Sequence, residues 1–93
     1  MAIVKGKTQT GFSFKVDSDL INDAEFLELF AEMQDGNNLV VFKIIKKSLG
    51  EEQKQKLYDH VRNKKGQVPI DRMSDEVTDI FKVLSESLET KNS

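Results

Sequence analysis

Hydrophobic and polar positions change their period along this chain, and each change marks an element. In Phe12-Ser13-Phe14-Lys15-Val16 the apolar residues alternate with polar ones, which is the period of a half-buried strand. Gln9-Thr10-Gly11 reads as a turn, and Ile3 and Val4 supply a first short strand. Residues 2–16 are therefore expected to form a β-hairpin. Two strands alone are marginally stable, so the Phe face must lie on helices.

From residue 22 the period becomes helical. Asn22 is placed to cap a helix over 22–34, with Glu25 completing a capping box and Ile21 and Phe26 in the staple positions. Its inward stripe is Phe26, Leu27, Leu29, Phe30 and Met33, and Asp35-Gly36-Asn37-Asn38 ends it. Residues 39–49 are apolar at Leu39, Val40, Val41, Phe42, Ile44, Ile45 and Leu49, more than one helical stripe needs. This segment is read as the central helix, closed by Gly50. Its β-branched residues leave a strand over 39–45 as the alternative. A short polar helix over 51–63 carries a narrow arc of Leu57, Tyr58 and Val61, and Gly66 stops it. Residues 67–73 read as an ordered loop with Val68 held extended by Pro69. A last helix over 74–88, capped by Ser74, has Val77, Ile80, Phe81, Leu84 and Leu88 on one face. Residues 89–93 are expected to be a disordered tail. The fold class is mainly α with an N-terminal hairpin, an α+β arrangement of about four helices around the segment 39–49, in one domain over 1–88.

Composition removes whole classes of chemistry. The chain of 93 residues has no Cys and one His, so disulfides, thiolate metal sites, a Cys nucleophile and paired-His relays are excluded. No apolar run approaches the roughly 20 residues that span a bilayer. The start, MAIVKGKTQT, lacks the apolar core of a signal peptide. A soluble intracellular domain is the expectation, with no membrane partner.

Charge is segregated. Residues 1–16 carry three Lys and no acid, residues 17–37 seven acids and no base, residues 43–65 eight bases and three acids, and residues 66–93 six acids and three bases, for a total of −2. These blocks either complement each other within the fold or offer opposite faces to partners.

Candidate chemistry dissolves under spacing. The acids from Asp17 to Glu28 track a calcium loop, but Asn22 stands where the turn needs Gly and Ile21 offers no ligand oxygen. The pairs Gly6/Gly11 and Gly6-Lys7-Thr8 each complete only half of a phosphate loop. His60 has Lys56 and Lys64 at i±4 and no carboxylate facing it along its helix. No catalytic residue, cofactor site or metal site is assigned, and the chain is read as non-enzymatic. The segment 43–65 resembles two helices meeting at a turn, the layout of a nucleic-acid reader. Its second helix opens with Glu51-Glu52, which would repel phosphates. A small helical nucleic-acid-binding regulator is thus the alternative function.

The order of signals resembles the small tail assembly chaperones of long-tailed phages that infect Gram-positive bacteria. The resembling stretches lie within about residues 10–82. They are Thr10-Gly11-Phe12 with Asp17 to Asp23, the acidic helix with Glu25 and Glu28, and Leu49-Gly50-Glu51-Glu52-Gln53 with Leu57-Tyr58-Asp59-His60. Gly66-Gln67-Val68-Pro69 and a closing helix with Glu76 and Ile80-Phe81 complete the order. The resemblance implies a protein made in the host cytoplasm and absent from the finished particle. It implies binding to the tape measure protein while the tail tube protein polymerises, and in many relatives a longer frameshifted product. It implies no cofactor.

The excess of apolar residues in 39–49 suggests a contact surface for a partner chain or a second copy. The expected contacts are Leu39, Val40 and Ile44, framed by a basic rim of Lys43, Lys47 and Arg62.

Overall fold

A computed structural model describes residues 2–92, with side chains through residue 87. Strands β1 (Ile3–Lys7) and β2 (Ser13–Asp17) pair antiparallel, with Lys5 opposite Lys15. Phe12, Phe14 and Val16 are buried and their polar neighbours exposed, as the alternation requires. Four helices follow: α1 (Ala24–Gln34), α2 (Val41–Ser48), α3 (Gly50–Val61) and α4 (Ile70–Asn92). The fold is mainly α with a short antiparallel hairpin.

The central segment coils as a helix, so the strand alternative at 39–45 is not taken. Only its first turn departs, with Asn38–Val40 forming a 3-10 turn that leads into α2. The helix is short because Gly50, at φ +76°, turns the chain directly into α3. A β-carbon at Gly50 would meet nothing within 4 Å, so glycine stands there for backbone conformation and not for space.

The start of α1 is corrected by one residue. Asp23, not Asn22, is its cap, accepting from the backbone N–H of Glu25 at 2.9 Å and Phe26 at 3.3 Å. Residues 18–22 are occupied by a separate 3-10 turn, capped by Asp17 through the N–H of Asp19. Two of the acids that tracked a calcium loop, Asp17 and Asp23, are thus helix caps in succession. Leu27, placed on the inward stripe, is exposed, while Phe26, Phe30 and Met33 are buried.

The largest correction is α4. It begins at Ile70, so residues 70–73, read as loop, are its first turn, and Ser74 is not a cap but bonds back to the Ile70 carbonyl. Pro69 supplies the first helical acceptor, taking the N–H of Met73 at 3.2 Å. Starting there adds Ile70 and fully buried Met73 to the stripe of Val77, Ile80 and Leu84. That added burial favours the earlier start. The backbone is helical through Asn92. The tail expected to be disordered is therefore helical over 89–92, its side chains, that of Leu88 and residue 93 lying outside the described part.

The core is one continuous cluster. Val41, Ile44 and Ile45 from α2 lie at its centre, with Leu57, Met73 and Leu84. Phe81 of α4 sits edge-on to Phe30 with centroids 4.1 Å apart and stacks on Phe26 at 6.2 Å. The hairpin closes the core from the other side. A β-carbon on Gly6 would stand 2.7 Å from Val83 Cγ1 and 2.9 Å from Phe14 Cζ, so the β1 backbone lies directly on α4.

Candidate functional site

The outer face of α2 carries the clearest unused apolar surface. Leu39 is 70 % exposed and Phe42 44 %. Lys43 and Lys46 are exposed beside them, and neither has an acid within ion-pair distance among the described residues. Leu39, Phe42, Lys43 and Lys46 follow the i, i+3, i+4, i+7 spacing of a single helical face. That face points away from the core because Val41, Ile44 and Ile45 take the opposite one.

The structure divides the expected contact residues. Leu39 and Lys43 lie on the outer face. Val40 and Ile44, 6 % and 1 % exposed, belong to the core and offer a partner nothing. Lys47 is tied to Asp23 of α1 at 3.2 Å. Arg62 stands just past α3, far along the chain from its junction with α2, and holds Asp59 at 3.1 Å and the Gly66 carbonyl at 2.8 Å. Phe42 and Lys46, outside the expected set, join the outer face, and their spacing from Leu39 is the signal that marks it. Of the eight bases in 43–65, four close on acids: Lys47 on Asp23, Lys54 on Glu51, Lys56 on Glu52 and Arg62 on Asp59.

The Asp23–Lys47 pair links the cap of α1 to α2. Partial desolvation raises the Asp23 carboxyl. The Lys47 ammonium and the N–H groups of Phe26 and Glu25 outweigh it, so the group titrates below its ordinary 3.8.

A second cluster joins residues that sequence spacing keeps apart. Glu76 of α4 is 2 % exposed. Its Oε1 accepts from the Thr8 hydroxyl at 2.8 Å and its Oε2 from the Thr10 hydroxyl at 2.7 Å. Thr8 Oγ1 in turn accepts the Phe12 N–H at 3.1 Å. His60 Nε2 lies 2.9 Å from Thr10 Oγ1. Each hydroxyl has one proton, and both point at Glu76. Nε2 of His60 is therefore the donor to Thr10. These bonds tie the hairpin turn, α3 and α4 together. Beside it lies a cavity of 260 Å³ lined by Thr10, His60, Val61, Arg72, Asp75 and Glu76. Separations of 66 and 68 residues between the threonines and Glu76 left no local signal to find.

Among the described residues no group of three or more His, Asp or Glu is placed to hold a metal ion. No helix among them is long and apolar enough to cross a membrane. Comparison with known proteins finds no matching family model, no matching curated protein and no matching solved structure.

Proposed function

We propose that the chain is a non-enzymatic protein-binding module whose contact surface is the outer face of α2. Within that class, the order of its motifs favours a phage tail assembly chaperone, acting in the host cytoplasm and left out of the mature virion. Its partner on this reading is the tape measure protein, whose long helices would aggregate if their apolar stripes stayed bare, and it assists assembly of the tail tube around that protein.

The observation that carries the reading is the pair Leu39 and Phe42, exposed beside two unpaired lysines. Two large apolar side chains on one face give a helical partner anchors for its own stripe. The lysines select acidic flanks and speed encounter without adding much affinity. Displacement by tube subunits then needs no nucleotide. Co-expression and pulldown with the tape measure protein of the same genome tests this. The expected result is a complex that Leu39→Ser/Phe42→Ser dissolves while the variant stays folded. Absence of a complex with the unaltered chain overturns the reading.

A further inference from the structure

The hairpin leaves one strand edge without partners, and its chemistry defines what fits there. Thr8 and Phe12 form a hydrogen-bonded pair, as do Ala2 and Ser18. Antiparallel bonding alternates along the ladder. Val4 and Val16, then Gly6 and Phe14, are therefore the bonded pairs of this register. It follows that Ile3, Lys5 and Lys7 aim their N–H and C=O groups away from β2, along the outer edge of β1.

The two edges differ. On β2 the edge is covered: the Gln53 side chain accepts the Lys15 N–H at 2.7 Å and donates to the Lys15 carbonyl at 2.9 Å, replacing a neighbouring strand. On β1, among the described residues, no backbone or side-chain bond to Ile3, Lys5 or Lys7 occurs outside the hairpin itself. Ile3 is 57 % exposed, and Lys5, Lys7 and Lys15 share its solvent face. None of these lysines has an ion-pair partner among the described residues. Next to the edge, a cavity of 190 Å³ opens between Lys7, Gln9 and the α4 residues Asp79, Lys82, Val83 and Glu86.

We propose that the outer edge of β1 is a strand-addition site for an extended peptide segment with acids at every second position. The backbone of the segment pairs with the free groups of Ile3, Lys5 and Lys7. Its acids fall on the solvent face against Lys5 and Lys7, where opposite charges across strands attract. Its intervening residues face α4, where Val83 is the apolar contact and the adjoining cavity, otherwise lined by polar and charged side chains, leaves room for a small side chain. A second copy of this chain is a poor occupant. Antiparallel pairing of two β1 edges about their centres sets Lys5 against Lys5, and lysines on an edge discourage such self-pairing. This inference stands on the hairpin alone and does not depend on the outer face of α2.

The test uses the full chain and an acetylated, amidated heptapeptide, Glu-Val-Glu-Val-Glu-Val-Glu. Binding is followed by calorimetry and by amide hydrogen exchange. The expected result is a complex in which the amides of Ile3, Lys5 and Lys7 exchange about tenfold more slowly or less. The charge-reversed variant Lys5→Glu/Lys7→Glu is expected to weaken the complex about tenfold. Two N-methylated peptides, one methylated at the Glu residues and one at the Val residues, separate pairing from simple charge attraction. One must lose binding, because its methyls face β1, and the other must keep it. Equal binding by both, or binding with unchanged exchange at these amides, overturns the proposal. So does failure of the unmodified peptide to bind. Concentration-dependent protection of the three amides without peptide would place a second copy on the edge and likewise overturn it.

Discussion

Two regions of this small protein invert the usual rule of polar outside and apolar inside, and they do so with opposite consequences. Around Glu76 a carboxylate is buried, yet both oxygens are met by hydroxyls from the hairpin turn. On the outer face of α2, Leu39 stands mostly in water and Phe42 is left partly uncovered. A buried polar group with all its bonds made holds three elements in one arrangement, and losing a partner is costly. An exposed apolar pair contributes little to the fold and remains available to another molecule. Stability and binding are therefore separable here, and substitutions in each region should move one quantity and not the other.

The largest loss of stability is expected at the buried carboxylate. Glu76→Ala strips the acceptor from the buried Thr8 hydroxyl and from that of exposed Thr10, and opens a void between the hairpin and α4, at a cost of about 3 kcal/mol. Urea unfolding measures it. A loss under about 1 kcal/mol would mean that water takes over the role of Glu76 and that the two regions differ less than their geometry implies. Thr10→Val, removing one of the two donors, should cost about half as much. The partner affinity of both variants, measured under conditions where they are folded, is expected to match that of the unaltered chain.

Gly6→Ala comes next. The added methyl must displace Val83 and the Phe14 ring, standing 2.7 and 2.9 Å from their nearest atoms. Both are side chains that can yield in part, so the expected loss is about 1–3 kcal/mol. Thermal unfolding checks it. A neutral effect would show that the hairpin rides loosely on α4.

How much of this was legible in the sequence depends on how far each determinant reaches. Phe12, Phe14 and Val16 carry their burial in a period of two, and the hairpin was readable from them alone. The helices were equally plain where apolar residues recur over several turns. What failed were decisions that depend on neighbours in space. Asn22 and Asp23 are both competent caps. The choice fell to Asp23 because residues 18–22 form their own turn and Lys47 of α2 supplies a counter-charge. The sequence places Ile70 and Met73 against the helices in an ordered loop; they do pack there, but as the first turn of α4, which a reading centred on Ser74 as a cap leaves out. The Glu76 cluster was invisible because its members are brought together only by the packing of the hairpin turn on α3 and α4. In the candidate site the error had a simpler source. The apolar excess in 39–49 lies on two opposite faces, and the period alone does not say which of them meets the core, so buried Val40 and Ile44 are not told apart from exposed Phe42.

The Asp23–Lys47 pair should produce a small, pH-dependent effect. The folded-state pKa of Asp23 lies below its ordinary 3.8. A depressed carboxyl contributes stability that is present above the unfolded-state value and is lost as pH falls through the folded-state value. The chain and its Asp23→Asn variant should therefore differ in stability at pH 6 and converge as pH falls through the folded-state value, below the ordinary 3.8. Urea unfolding across that series reads the difference. A gap that stays constant with pH would assign the effect to the changed cap and not to charge.

The smallest effect on stability is expected at the outer face of α2. Leu39→Ser/Phe42→Ser removes one side chain that stands mostly in water and one that is 44 % exposed, so unfolding free energy should shift by no more than about 1 kcal/mol. Affinity for a helical partner should fall at least about tenfold, because exposed anchors become the buried centre of a complex. Lys43→Glu/Lys46→Glu should leave stability equally untouched, slow association and reduce its dependence on salt. The two double variants thus separate the apolar contribution, read in the dissociation rate, from the electrostatic one, read in the association rate. A stability loss of about 2 kcal/mol or more from the serine pair would show that Leu39 and Phe42 hold the fold together after all. The contrast between the two regions would then collapse, and the surface proposed for the partner with it.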